Sequence, residues 1–358
     1  MSADRIIRPT GPAEMVLPCE DLSECLAFFV GRLAFRVETI FPAEEPTVAS
    51  LSGFGLRLRL EPGSGDPGVI RLAIAAPTGL PQDRVLTAPN GTRIELVDPD
   101  PPIDIPALIP EFIVTRRDHG PPEGAGRAGM IYRDLIPGRL GGRFIASHIA
   151  LPEGGPVADW VHFHKIRFQM IFCRRGWARL VYEDQGPPFI MSAGDCVLQP
   201  PRIRHRVLES SPGFEVVEIG CPALHETLAD HDMELPTGRR LPERDYGGQR
   251  FLHHVAVEMP WRPHGGGFER RDTGMDAATG GIADAYVLRP AGGDHLQAPA
   301  HHGELLFGFL LDGSAVLERD GDHALGPADA FVIPAGEDWR LRAVSPDFEL
   351  LQVAVPTT

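Results

Sequence analysis

The chain has 358 residues, 43% of them hydrophobic, with 49 acidic side chains against 34 basic ones and a net charge of −15. That length calls for two or three domains, and the negative charge, without any basic run, argues against nucleic acid as a partner. No stretch of about 18 apolar residues exists, so no membrane span is predicted.

Forty glycines and 36 prolines favour many short strands joined by tight turns. The five cysteines (Cys19, Cys25, Cys173, Cys196, Cys221) form no C-x-x-C pair and are odd in number. The opening MSADRIIRPTGPAE lacks the apolar core of a secretory signal. Reduced thiols in a cytoplasmic protein are therefore the expectation.

Residues 13 to 98 read as a strand, helix and strand series. EMVLP is a short apolar strand, and Asp21 is placed to cap the helix DLSECLAFFVGRLA. FRVETIFP, TVASLSG and GLRLRLEP follow as strands, then GVIRLAIAAP, and NGTRIELVD after an Asn90-Gly91 turn. The LPxxDLxxxxxFF opening, the LAFRVE after its helix and the PNGTRIELVDP ending resemble the vicinal-oxygen-chelate family, of the glyoxalase and bleomycin-resistance type. That resemblance implies a small α+β domain over residues 1–105. Family enzymes carry a histidine on the first strand, but here no histidine precedes His119. Glu95 stands where a family metal ligand often lies, and one carboxylate cannot hold a catalytic metal. The interval from Pro77 to Pro89 is too short for the family's usual second helix. The expectation is a metal-free module serving as lid, interface or binding surface, with Glu95 a solvated strand residue.

A proline-rich joint, PDPPIDIPALIP, cannot continue as helix or central strand. RRDHGPPEGAGRAG reads as a surface loop. GRFIASHIALPEGG is then a first barrel strand, with His148 expected as a packed or exposed strand residue.

The chain's chemistry is concentrated between Trp160 and His205. His162 and His164, at i and i+2, share one face of an extended strand. His205, brought back by a hairpin partner, would complete a cluster of imidazoles suited to iron, zinc, copper or nickel. In RFQMIFC, Gln169, Ile171 and Cys173 share one face, so Gln169 is expected to line the same cavity.

The spacing resembles the two motifs of the cupin superfamily of small antiparallel jelly-roll barrels. His162-x-His164, four residues, Gln169, six residues and Gly176 match the first, with glutamine where glutamate is usual. Gly194, five residues, Pro200-Pro201-Arg202, two residues and His205 match the second, with arginine where the turn glycine is usual. The resemblance implies one bound divalent transition metal, iron first and zinc, nickel, manganese or copper as alternatives. Its ligands would be His162, His164 and His205, with Gln169 ligating weakly or orienting substrate or water. Cupins commonly pair through outer strands, which implies a homodimer.

WARLVYEDQ, GDCVLQPP, RHRVLES and FEVVEIGCP complete this barrel, taken as residues 106–240. Glu215 and Glu218 read as rim residues, and His225 and His231 as outside the site. A second copy, residues 241–358, is an internal repeat. HHGELLFGFLLDGSAVLERDGD parallels HKIRFQMIFCRRGWARLVYEDQ, and GPADAFVIPAGEDW parallels GDCVLQPPRIRH. Pro299, His301, Leu306 and Trp339 stand at the positions of His162, His164, Gln169 and His205, so this barrel is ligand-depleted: scaffolding, or a pocket for an apolar group. The predicted fold class is therefore mostly β, two tandem jelly-roll barrels behind a small glyoxalase-like domain.

The expected function is that of a metal-dependent bicupin acting on a small molecule. The leading reading is a mononuclear non-haem iron dioxygenase for a small chelating acid, dione or aromatic. A non-redox isomerase, lyase or decarboxylase, and a non-catalytic binding or sensing protein, are the alternatives. Gln169, Arg204 and Tyr182 are the catalytic candidates. Arg167 also flanks the motifs, and Arg202 is expected at the barrel mouth.

Overall fold

The computed structural model describes residues 11–75, 83–118, 124–125 and 129–357. Most of the N-terminal stretch, the second-helix interval and the polar loop after Arg117 considered above therefore lie outside the described residues. The chain divides into two compact units, Met1–Pro102 and Ile103–Thr358.

In the first unit, Asp21 caps the helix Leu22–Gly31 by accepting from the Glu24 amide at 2.9 Å. Cys25 and Phe29 on this helix are buried, and the core continues through Phe35, Leu51, Leu58, Leu60 and Ile94. Four strands form one sheet in the order Met15–Pro18, Leu56–Glu61, Val48–Gly53, Arg36–Phe41, the first pair parallel. Val69–Ala73, Arg93–Val97 and Val85–Thr87 form a second sheet, again with the first pair parallel. Asn90 fastens its turn by donating to the Pro18 carbonyl at 2.9 Å. Glu95 is ion-paired on the sheet surface. Its hydrogen bond from Arg71, helped by the charge of Arg93, holds the carboxyl below the usual range.

The second unit is almost entirely β and contains two barrels. Each pairs a large sheet with a smaller one, and the large sheets pack face to face over a shared core that includes Phe168, Met170, Phe172, Phe307 and Phe309. The first large sheet runs Leu252–His254, Cys196–Leu198, Phe168–Arg175, Phe214–Cys221, Ile145–Leu151, Ile131–Asp134, Gly124–Ala125. The second runs Arg262–Gly265, Phe268–Asp272, Asp284–Pro290, Glu349–Val355, Leu305–Asp312, Ala330–Val332, Ile113–Thr115. The barrels thus exchange edge strands: Ile113–Thr115, within the segment 106–240, pairs with the second barrel, and Leu252–His254, within 241–358, pairs with the first. Such an exchange covers strand edges that would otherwise expose unpaired backbone groups.

The internal repeat holds at atomic level. Gly176 and Gly313 both take positive φ, 71° and 75°. After each, a serine hydroxyl caps the turn: Ser211 accepts from the Trp177 amide at 3.0 Å, and Ser345 from the Ser314 amide at 2.8 Å. The Arg202 amide donates to the His164 carbonyl, as the Gly336 amide does to that of His301. Arg202 adopts φ 65°, so it occupies the left-handed conformation that its counterpart Gly336, at 79°, reaches without steric cost.

What differs between the barrels is the filling. In the first, Ile171 faces Val197 across a strand pair; in the second, Gly308 faces Phe331. A Cβ on Gly308 would lie 2.2 Å from the Phe331 ring, so the glycine is what admits the phenyl group. Phe331 and Trp339, 5.5 Å apart, then fill this interior together with Leu306, Leu310 and Phe348. Both nitrogens of His301 are engaged, Nε2 with the Ile333 carbonyl at 2.7 Å and Nδ1 with the Gly303 amide at 3.2 Å. Neither serves as a metal ligand in that arrangement.

Candidate metal centre

The strand His162–His164 pairs antiparallel with His205–Ser210, with His162 directly opposite His205. Alternation along the first strand and pairing to the second bring the imidazoles of His162, His164 and His205 together, their ligand atoms all within 4.8 Å of one another. Among the described residues this is the one cluster of three or more His, Cys, Asp or Glu side chains with metal-binding spacing. All three are buried.

Backbone carbonyls orient two of the rings. His162 Nδ1 lies 2.8 Å from the Trp160 carbonyl oxygen and His205 Nδ1 3.0 Å from that of Ile203. A carbonyl only accepts, so each Nδ1 carries a proton, which leaves Nε2 as the nitrogen each ring can offer to a cation. His164 Nδ1 faces the Thr227 hydroxyl at 3.3 Å. The Asp159 side chain, fully buried, places Oδ1 3.6 Å from His162 Nδ1 while Oδ2 accepts from the Val207 amide.

The cluster lines a cavity of about 260 Å³. Gln169, Tyr182, Gln199, Glu218 and His225 supply further polar lining, and Met130, Ile149, Leu151, Leu180, Met191 and Phe214 an apolar wall. Gln169, only 2% exposed, donates from Nε2 to Glu218 Oε1 at 2.5 Å, while its own Oε1 is buried without a hydrogen-bond partner. Gln199 Nε2 donates to the Tyr182 hydroxyl at 2.8 Å. Burial pushes the Tyr182 phenol far above its ordinary range, so it stays neutral. Three convergent imidazoles and an orphaned amide oxygen fit a divalent transition metal.

Four expectations about individual residues need correction. Arg204 is not among the cavity-lining residues: it precedes the strand that begins at His205, is paired with Asp230 at 3.0 Å and lies over the Phe163 ring. Arg167 is bound to Glu304 at 3.1 Å instead. Glu218, read as a rim residue, lines the cavity, because strand alternation puts it on the face of Val216. The signal was there, a carboxylate within an otherwise apolar inward row. His225, read as outside the site, also lines the cavity, its ring 5.2 Å from that of His164 and its Nδ1 3.1 Å from the Pro222 carbonyl. No periodicity announces it, since it sits in the connection between the strands Phe214–Cys221 and Thr227–Ala229. Gln199 and Arg206 are cavity residues that the sequence reading did not single out. His148 behaves as expected: its strand neighbours Ser147 and Ile149 line the cavity, while His148 is buried against Glu215.

No protein-family model matches the chain, and no curated protein matches it. Solved structures do. A salicylate 1,2-dioxygenase from Pseudaminobacter salicylatoxidans aligns over 71% of this chain and 86% of its own, with 16% identity and a TM-score of 0.52. A variant of the Bacillus subtilis oxalate decarboxylase OxdC aligns over 72% of this chain and 79% of its own, with 12% identity and a TM-score of 0.50. This is the bicupin fold. At such identities the likeness establishes architecture alone. In this chain, only the first barrel has a histidine cluster among the described residues, and no described helix is long and apolar enough to cross a membrane.

Proposed function

We propose that this bicupin is a metal-dependent enzyme, a mononuclear dioxygenase, whose substrate joins a polar chelating head to a small apolar body. The observation that carries the reading is the convergence of three buried imidazoles in a cavity of about 260 Å³ whose remaining wall is largely hydrophobic. His162, His164 and His205 would hold the ion, with Gln169 beside them. When bound, a divalent metal supplies a Lewis-acidic, redox-capable centre with positions left for substrate.

The remaining residues do the selecting and orienting. Met130, Ile149, Leu151, Met191 and Phe214 offer dispersion contacts to a ring or branched carbon skeleton and nothing to a second ionic group. A compact dianion would therefore lose water at that wall without recovering hydrogen bonds. Tyr182, held neutral and braced by Gln199, is placed to donate to a substrate oxygen. These features favour aromatic hydroxy-acids and apolar diones over short dicarboxylates.

The test is anaerobic loading of the purified chain with iron(II), followed by oxygen-uptake measurements on aromatic hydroxy-acids, 1,3-diones and short dicarboxylates. Uptake coupled to consumption of an apolar-bodied substrate supports the proposal. Turnover without oxygen uptake would assign the site to a lyase or decarboxylase instead, and tight binding without turnover to a sensor.

A further inference from the structure

In this site the position where the cupin pattern usually has glutamate holds Gln169, and a carboxylate has entered from the adjoining strand. Gln169 pairs with Gly220 across the strands Phe168–Arg175 and Phe214–Cys221. Glu218, two residues from Gly220, therefore shares its face and meets Gln169 diagonally. Gly220 itself has no side chain to stand between them.

A primary amide is nearly symmetric in shape, so packing alone does not decide whether its oxygen or its nitrogen faces a given partner. A carboxylate oxygen decides it, because it accepts and does not repel an N–H, whereas an amide oxygen turned toward it would meet lone pairs with lone pairs. With Nε2 donating to Glu218 at 2.5 Å, Oε1 is turned to the other side of the planar amide, where it is buried and unpartnered. A cation among the histidines would be attracted by that oxygen and repelled by the alternative NH2.

We propose that Glu218 is a positioning residue that holds the Gln169 amide with Oε1, rather than Nε2, presented to the three-histidine centre. The inference rests on the metal-site reading above and deepens it. The pair divides between two residues what a single glutamate ligand does in one: a neutral oxygen faces the ion, and the negative charge stands one hydrogen bond behind it. The ion keeps more of its own charge than beside a ligating carboxylate, while the amide is still locked in a ligating orientation.

Cobalt(II) titration of the full-length metal-free chain tests this, read by dissociation constant and by the visible d–d spectrum. Glu218→Gln is close to isosteric and removes the obligate acceptor, so the amide is free to turn over. The expected result is about tenfold weaker cobalt binding with an altered spectrum, matching Gln169→Leu, and a double variant no worse than either single one. The exchange Gln169→Glu with Glu218→Gln restores a directional pair and is expected to regain wild-type affinity or better. Unchanged affinity and spectrum in Glu218→Gln, or strictly additive losses in the double variant, would overturn the assignment while His205→Ala still loses cobalt. If wild type takes up no cobalt, or His205→Ala binds it as wild type does, the metal-site reading itself fails and the proposal with it. Should Glu218→Gln lose cooperative unfolding, the exchange variant carries the test: failure to recover wild-type affinity then overturns the proposal.

Discussion

Tyr182 lies nearly parallel to His205, with ring centroids 5.4 Å apart and an interplanar angle of 22°. The phenol thereby both walls the cavity beside a candidate ligand and accepts from Gln199. Tyr182→Phe keeps the ring stack but leaves the buried Gln199 amide without its acceptor, so unfolding free energy should fall by about 1–3 kcal/mol. If the phenol also donates to substrate, kcat/KM should drop about tenfold while metal content is unchanged. Urea melts and steady-state kinetics on the iron-loaded protein separate the two effects. An unchanged kcat/KM would reduce Tyr182 to a wall.

Asp159 stands behind His162, its carboxylate 3.6 Å from Nδ1. Asp159→Asn preserves shape but weakens the electrostatic bias toward the ligating tautomer, and metal affinity is expected to fall about tenfold. A competitive chelator titration measures it. Equal affinity in the variant would leave the Trp160 carbonyl as the sole orienting partner that matters.

His225 lines the cavity edge-on to His164 but lies outside the cluster of candidate ligand atoms. His225→Ala should therefore retain one metal per chain by elemental analysis while altering turnover. Loss of the metal would make His225 a ligand.

His148 and Glu215 set the acid response. Burial lowers the His148 pKa, the carboxylate of Glu215 only partly offsetting this. For Glu215, burial disfavours ionisation, but hydrogen bonds from His148 and Arg174 outweigh it and hold the carboxyl at about 2, down from an ordinary 4.5. In both cases the unfolded chain takes up the proton first, so stability falls as the pH falls. The loss should begin below about 6.5 through His148 and deepen between 4.5 and about 2 through Glu215. Glu215→Gln is expected to lower stability at pH 7 and to flatten the dependence below pH 4.5. Chemical denaturation across pH 3–8 checks the slope, and an unchanged slope would mean that other carboxylates control it.

The second barrel should behave as a filled scaffold. Gly313→Ala forces a left-handed conformation costing about 1–2 kcal/mol, and its Cβ would also lie 2.6 Å from the Phe348 backbone. Phe331→Ala should cost about 3–5 kcal/mol through the void it leaves. Neither change should alter cobalt stoichiometry, which remains one per chain if only the first barrel binds. A second equivalent in Phe331→Ala would show that the aromatic plug conceals a site.

How much was legible beforehand varied by residue. His162, His164, Gln169 and the repeat that turns Gln169 into Leu306 were readable because strand alternation and turn spacing are local properties. Arg204 was misplaced although it is next to His205, because it precedes the strand and its direction is set by Asp230 and Phe163, which the sequence does not bring beside it. Glu218, read as a rim residue, could have been placed inward from the apolar row it shares with Val216, whereas His225 gains its place only from His164 on another strand.

By itself, then, the sequence determined the mostly β architecture, the tandem jelly rolls and the three imidazoles, since hydrophobic period, turn glycines and histidine spacing are written along one strand at a time. The tertiary structure alone decided that a carboxylate stands behind Gln169, that Phe331 and Trp339 fill the second barrel, and that the barrels trade edge strands. Those facts depend on which residues meet across a strand pair or a shared core, and such meetings are fixed by register and packing over distances that no local pattern encodes.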